Sequence, residues 1–374
     1  MPKIPIKLNK LILQQQIALT FLNGTGRKKM RNILSHLPSV DYFFQEKKNE
    51  LLKIPGVGKA SLIQMNREEA MRKAEPFVSF FEKNDIKTHF FQDPDFPYRL
   101  NQCDDAPILL FSEGEMDLNA PKIISIVGTR NATDYGRAIC DELLHALVGK
   151  NVVVVSGLAY GIDIYVHQLC VQLGIQTVGV LGHGLDRIYP AIHKPTAKQM
   201  LKNGGLLTEF LPGVMPDRMN FPMRNRIVAG MCDATIVIES GAKGGSLITA
   251  ELANDYSRDV FAYPGDITRE FSKGCNSLIQ QNRAHLITGS KDFFRIMGWD
   301  AKPSVTPKQQ NLFQADLSEF ETKLVGILRE KESASLDFIS LKSGESVSEV
   351  SVNLLNLEFL GMIKTLPGNR FKLV

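Results

Sequence analysis

Five short stretches combine glycine with polar or charged residues in a pattern suited to anions: GTRNATDYG (128–136), SGLAYGID (156–163), LGHGLDRIYP (181–190), ESGAKGGSLITAE (239–251) and PGD (264–266). Glycine lets a ligand approach the backbone closely. A helix that opens straight after such a loop aims bare amides and a positive dipole end at the same place. The candidate contacts are Gly128, Thr129 and Arg130 in the first loop, Ser156 and Gly157 in the second, and Gly244, Gly245 and Ser246 in the fourth. Six cations, Arg130, Arg187, Arg218, Arg224, Arg226 and Lys243, fall in these loops or in the first turns after them. The segment PDRMNFPMRNR (216–226) sets Phe221 among Arg218, Arg224, Asn225 and Arg226. Arginines neutralise phosphates, and an aromatic face stacks on an unpaired base, so this set suits a long polyanion with unstacked bases. The plainer reading is that glycines close tight turns, Phe221 is core, and the arginines pair with Glu209, Glu239 or Asp233.

A dinucleotide fits less well. The first loop is Gly-Thr-Arg where a pyrophosphate fingerprint needs G-x-G-x-x-G, and no Walker loop is present. Asp163 and His167 stand four apart on an expected helix, hence on one face, and are a formal acid–base couple. Such a pair more commonly fixes a helix start.

These loops require elements that bring them to one edge. Short apolar runs at 122–128, 152–157, 177–182, 206–210, 234–240 and 260–265 alternate with helical stretches beginning near Asp134, Gly161, Thr196, Met223 and Leu247. That alternation predicts an α/β domain over 119–298, an extended Rossmann-like parallel sheet with helices on both faces. Ligands of such sheets bind beyond the carboxyl ends of the strands. Residues 1–75 read as helical, with a weak repeat around Gly24 and Gly56 in the layout of a helix-hairpin-helix or SAM-like domain. Residues 76–118 read as an irregular connecting region because of their proline and aspartate cluster. Residues 299–317 read as a linker, and 318–374 as a winged-helix-like module ending in a hairpin about LPGN.

Bulk properties set limits. The 374-residue chain carries a net charge of only +4, which permits nucleic acid without demanding it. Five scattered cysteines with no CxxC pair argue against a disulfide framework or a zinc site and for reduced thiols. With no long apolar run, neither a signal peptide nor a membrane span is expected, and the default location is the cytoplasm. No cofactor is expected.

Taken in order, VGTR, SGLAYGID with His167, LGHGLD with Tyr189-Pro190, TEF, FPMRNRIVAG, GGSLITAELA and PGD…GCNSLI resemble the DprA (Smf) family of DNA-processing proteins across about residues 122–287. The resemblance implies a non-enzymatic Rossmann-like binder of single-stranded DNA. It implies a role in natural transformation, in which incoming strands are protected and RecA recombinase is helped to load, and it implies a homodimer. By position, Arg130 resembles the family's principal DNA-contacting arginine. Arg218 and Phe221 resemble further basic and stacking contacts, and Gly244-Gly245-Ser246 its Ser-Gly-Ser anion loop.

There are departures. Tyr160 replaces an arginine of the usual SGLARGID, and Gln281-Asn282-Arg283-Ala284 replaces a shorter turn. The C-terminal module is not basic along its expected recognition helix, 346–360, which carries Glu349 and Glu358 and no cation, favouring a protein-contact or accessory role for the module. GGSLITAE also resembles the GGxGTxxE loop of lysine-decarboxylase-like phosphoribohydrolases, with Glu251 as catalytic carboxylate, but Leu247-Ile248 stands where that loop needs Gly-Thr. A small-nucleotide regulator is a third reading.

Overall fold

The computed structural model describes residues 6–24, 26–300, 317–331 and 333–374; most of the expected 299–317 linker lies outside them. Its centre is a nine-stranded sheet of β1 (Lys87–Phe90), β2 (Leu109–Glu115), β3 (Ile123–Val127), β4 (Val153–Ser156), β5 (Thr177–Val180), β6 (Gly204–Thr208), β7 (Ala234–Val237), β8 (Asp259–Ala262) and β9 (His285–Leu286). The spatial order is β1-β2-β6-β5-β4-β3-β7-β8-β9, and all strands from β3 to β9 run parallel. The chain builds outward from β3 to β6, then returns across the sheet to β7 on the other side of β3. That reversal parts the loops after β3 and β7 and opens a crevice between them.

The central strands are buried on both faces, as parallel strands covered by helices must be. Alternate residues divide between two cores. Ile123, Val127, Val153 and Val155 join the core shared with the N-terminal helices, and Ile124, Ile126 and Val154 join a second core under the helices Asp134–Leu147 and Ile162–Leu173.

The connecting region departs from expectation. Residue 75 lies inside the helix Arg67–Lys83, which continues through Pro76 while burying Ala74, Val78 and Phe81. β1 and β2 then form an antiparallel pair that extends the sheet, Phe111 registering with Thr208 of β6. The proline and aspartate cluster fills the connection between them, including the short helix Tyr98–Asn101. Arg99 from that helix is buried in an ion pair with Asp233, Nε to carboxylate 2.7 Å.

At the N-terminus, Gly24 and Gly56 both adopt φ of +79°, and Gly26 and Gly58 cap the helices Arg27–Ser35 and Lys59–Gln64. The first of these helices turns its cations onto the sheet domain: Arg27 pairs with Glu209 at 3.0 Å, and Arg31 donates to the carbonyls of Pro107 and Asn101. Residues 317–374 form the helices Glu319–Arg329, Leu336–Ser343 and Val347–Phe359 and a sheet of β10 (Ala334–Ser335), β11 (Ile363–Leu366) and β12 (Arg370–Leu373), ordered β10-β12-β11. This module docks at the amino ends of the strands through the Arg258–Asp337 ion pair and Asn369 donating to the Ser257 carbonyl. No described helix is long and apolar enough to cross a membrane, and all five cysteines are buried and unpaired.

Candidate nucleic-acid interface

The loops after β3, β4 and β7 and the helices Asn220–Gly230 and Gly245–Asp255 enclose an open cleft of about 840 Å³ at the carboxyl edge of the sheet. Its walls include Gly128, Thr129 and Arg130, Gly157, Arg218 and Phe221, and the 241–246 loop with Lys243. Sequence-distant segments are locked here by backbone bonds. The Thr129 amide donates to the Glu239 carbonyl at 2.7 Å, and the Ile162 amide to the Thr129 carbonyl at 3.1 Å. Glu239 is buried, and its carboxylate accepts from the Thr133 hydroxyl at 2.6 Å and the Thr133 amide at 3.1 Å. Gly161 sits at φ +77°, where an added Cβ would lie 2.2 Å from the Thr129 oxygen and 2.6 Å from the Arg130 Cα. The loop that presents Arg130 is therefore clamped from two sides.

Arg130 is exposed, its guanidinium carbon 5.7 Å from the Phe221 ring centroid. Phe221 is half-buried on Gly182, and its other neighbour is Tyr189, stacked at 6.4 Å with 28° between planes. Arg218 and Lys243 are exposed on the same cleft. At the loop after β7, Gly244 caps the helix Gly245–Asp255, whose first amides have no intrahelical carbonyl to bond. Gly245 is open on its outer side, with no atom within 4 Å of an added Cβ. Cations, aromatic faces and helix-start amides thus share one surface.

Several expected contacts point elsewhere. Ser156 is buried and donates its hydroxyl to the Ile126 carbonyl at 2.6 Å, so it ties β4 to β3. Arg226 is buried; it pairs with Glu209 and donates to the Asp105 carbonyl at 2.6 Å. Reaching a phosphate would break both bonds and leave the buried Glu209 carboxylate to Arg27 alone, so the arginine is structural. Arg224 borders the cleft from within. Its buried guanidinium donates to the Gly157 and Val180 carbonyls and its Nε to the Asn225 side chain at 3.0 Å. Burial pushes its pKa down, Asp163 opposing. Asn225, expected as a DNA contact, lines the cleft while holding Arg224. Arg187 lies outside the cleft walls and bonds its neighbour Asp186 at 2.9 Å through Nε. Ser246 is buried, its hydroxyl donating to Ser240 Oγ at 2.9 Å. Gly128 and Gly157 carry packing as well: a Cβ on Gly128 would strike Ile162, and one on Gly157 the Arg224 guanidinium.

Asp163 and His167 are no acid–base couple. Asp163 accepts the Gly157 amide at 3.1 Å and the Ala159 amide at 3.4 Å, and burial raises its pKa. His167 is fully buried, shares a 2.7 Å hydrogen bond with Thr177 Oγ1, and is pushed down to about 3 by burial and by Arg224 and His193. Glu251 is outside the cleft, in an exposed pair with Arg283 at 3.2 Å.

Sequence reading missed Tyr189. Its backbone is held by the amide donating to His183 Nε2 at 3.2 Å, and its half-exposed ring extends the Phe221 face. Its position beside PDRMNFPMRNR depends on the β5-to-β6 connection folding over the Asn220–Gly230 helix, which no local pattern announces. Tyr160, 48% exposed, lines a small pocket together with Arg130, Tyr189 and Phe221 and is braced edge-on by His193 at 5.0 Å.

Comparison with known proteins agrees with this geometry. A family model described as DNA recombination-mediator protein A matches residues 87–298, more than half of the chain. The DNA processing protein DprA of Streptococcus pneumoniae is 40% identical over 238 residues, covering 64% of this chain and 80% of that protein. Protein Smf of Escherichia coli is 31% identical over 317 residues, covering 81% and 84% respectively. The X-ray structure of the S. pneumoniae protein superposes with a TM-score of 0.63 at 32% identity, over 79% of this chain and 98% of that one. A Helicobacter pylori DNA processing protein A, whose structure describes a single-stranded DNA binding mode, superposes at 0.52 with 27% identity, over 58% and 97%. The resemblance carried by the loop motifs therefore holds across the sheet domain, and the chain belongs to the DprA (Smf) family of DNA recombination mediators.

Proposed function

We propose that this chain binds single-stranded DNA along the carboxyl edge of its sheet and acts there as a recombination mediator without being an enzyme. The observation that carries the reading is the exposed Arg130 held against the Phe221–Tyr189 stack in a cleft whose free cations are Arg218 and Lys243. Arginine takes a phosphate while the rings take a base, and a base is available for stacking only when it is unpaired. The Gly245 and Ser246 amides at the open helix start add donors for a second phosphate, while the Gly244 amide is spent on the Gly241 carbonyl at 3.0 Å. The single-stranded DNA binding mode of the H. pylori relative supports the same assignment.

The family's description as a recombination mediator supports delivery of the bound strand to a RecA-class recombinase in natural transformation, and the homodimer is what the family resemblance implies. Five buried, unpaired thiols suit a reducing cytoplasm. The paired Gly-x-Gly turns support a helix-hairpin-helix-like N-terminal domain serving as a scaffold, since the first helix spends Arg27 and Arg31 on the sheet domain. Three helices followed by the β11–β12 hairpin support a winged-helix-like C-terminal module. The phosphoribohydrolase alternative loses its catalytic carboxylate, because Glu251 faces Arg283 outside the cleft.

The test is fluorescence anisotropy with labelled single-stranded and duplex oligonucleotides of equal length at two salt concentrations. Tight, salt-dependent, single-strand-selective binding is expected. Arg130→Ala lowers single-strand affinity about tenfold and flattens the salt slope by about 0.7, the value of one phosphate contact on a single strand. An unchanged dissociation constant for Arg130→Ala removes the arginine from the site.

A further inference from the structure

A second group of cations lies at the opposite end of the sheet from the cleft. β11 and β12 pair so that Lys364 faces Lys372 and Leu366 faces Arg370. Strand side chains alternate, so these four share the outer face of the hairpin, while Ile363, Phe371 and Leu373 pack into the module's core. Lys364 and Lys372 therefore stand directly opposite one another, an arrangement of like charges that weakens a hairpin.

The positive surface continues from Arg370 onto the amino edge of the main sheet. The pKa of Lys122, just before β3, is pressed down by burial and then by the charges of Arg370 and Lys150; Asp233, which works the other way, is committed to Arg99. Lys331 is pressed down by burial, Arg370 and Lys342. Arg370 thus adds its charge to that felt by both lysines, while its own Nε and one terminal nitrogen donate to the Ser333 hydroxyl and carbonyl. The ammonium groups ride on aromatic rings: Lys122 is 5.1 Å from Trp299, Lys150 4.8 Å from Phe294 and Lys331 3.8 Å from Phe338. Lysines that find a carboxylate lie elsewhere, such as Lys28 with Asp104 and Lys87 with Glu115.

We infer that the outer face of the β11–β12 hairpin, with Lys122 and Lys150 beside it, is a second nucleic-acid surface that holds a phosphodiester backbone independently of the cleft. Concentrated like charge at the junction of two modules costs stability and is offset when a polyanion covers it. Trp299 and Phe294 are buried beneath their lysines, so the surface offers charge without the apolar pockets that anchor a peptide. Arg370 and Lys372 are two residues apart on one strand, a step of about 6.6 Å, roughly twice the 3.4 Å rise per nucleotide of one DNA strand. The module's helix Val347–Phe359 is left out of this surface. Its Glu349 points away from the role, and its Glu358 carboxylate accepts from the Thr365 amide and hydroxyl at the base of the hairpin.

The experiment uses the full chain in four forms: unaltered, Arg130→Ala, Lys364→Gln/Lys372→Gln, and all three substitutions together. Each is titrated by anisotropy with single-stranded and duplex DNA of about 20 nucleotides or base pairs, long enough for several phosphate contacts, and with polyglutamate. In the Arg130→Ala background, the double lysine substitution is expected to weaken DNA binding at least about fivefold and to flatten the salt slope by about 1.8 on duplex or about 1.4 on single strand, two contacts at roughly 0.9 or 0.7 each. Whichever probe loses more affinity identifies whether single strand or duplex is held. The melting temperature is expected to hold or rise, since a repulsion is removed. With Arg130 present, single-strand binding is expected to fall by less than about twofold, because the cleft supplies most contacts. Unchanged affinity and slope for both DNA probes overturns the inference, and a loss confined to polyglutamate overturns it in favour of an acidic protein partner. If the lysine pair has its effect while Arg130→Ala has none, the cleft assignment fails and this one stands.

Discussion

Arg130, Phe221 and Arg224 lie within one cleft, yet their side chains do different work, and substitution separates them. Phe221 presents a ring face beside Tyr189 and carries no charge. Phe221→Ala is expected to cost about 1–3 kcal/mol of single-strand affinity, the worth of a stacked base, with the salt slope unchanged because stacking releases no counterions. A shallower slope with little loss of affinity would mean that Phe221 acts only by placing Arg130. Arg224 has its buried guanidinium on the Gly157 and Val180 carbonyls, beside the Asp163 charge. Arg224→Ala leaves those carbonyls without their donor and the buried Asp163 without a compensating charge, so about 3 kcal/mol of stability should go. Urea unfolding checks it: a variant as stable as the unaltered protein, with a flattened salt slope, would restore Arg224 to the list of phosphate contacts.

At the scale of elements, the site is a set of loop ends held by buried polar ties between neighbouring strands and helices. Thr133 caps the helix Asp134–Leu147 and also bonds Glu239 beyond β7, and Asp163 at the start of the next helix collects the amides of the loop after β4. His167, farther along that helix, joins it to Thr177 of β5. Burial keeps this histidine neutral in the fold, with its pKa pushed down to about 3, while in the unfolded chain it takes a proton near 6.5. A lowered folded value contributes stability that is complete above about 6.5 and is lost as pH falls toward 3. Between pH 7 and 5 the loss should be about 2 kcal/mol, at about 1.4 kcal/mol per unit over the lower 1.5 units. Asp163, whose carboxyl is pushed up, has the opposite sign, stabilising the fold as pH falls through its raised value. Comparison with His167→Gln therefore isolates the histidine. Denaturant unfolding at the two pH values should show the drop in the unaltered protein and a smaller one in the variant; equal drops would assign the acid sensitivity elsewhere.

Across the whole molecule, the sheet separates two ends. The cleft stands at the carboxyl ends of the strands, and the C-terminal module sits at the amino ends, against Arg258 and Ser257 just before β8. Deleting 303–374 should leave tight single-strand binding within about threefold, since the cleft supplies most of the phosphate contacts. The same deletion should remove the salt-dependent component assigned to the β11–β12 face. Anisotropy on the truncated chain measures both, and loss of tight binding would mean that the module supports or completes the cleft. The N-terminal helices are different in kind: their core is continuous with one face of the sheet, so they brace the domain that carries the cleft.

By itself the sequence determined the local pieces. Apolar runs of strand length, each ending in a glycine loop and a helix start, place β3 to β8 and the cleft loops, because strand and helix periods and turn chemistry are local properties. Arg130, Phe221, Arg218 and Lys243 were legible for the same reason, lying where a strand or turn releases the chain. β1 and β2 were hidden because KTHF carries little apolar signal and the proline-rich connection reads as irregular; pairing with β6 makes them strands. β9 is only two residues long and exists through its register with β8. Which arginine faces outward was likewise undecidable from spacing. Arg224 and Arg226 share a motif with the cleft residues, yet carbonyls from β4 and β5 and the carboxylate of Glu209, all distant in the chain, turn them inward. A polar side chain goes where its buried partner waits, and only the tertiary structure brings those partners together.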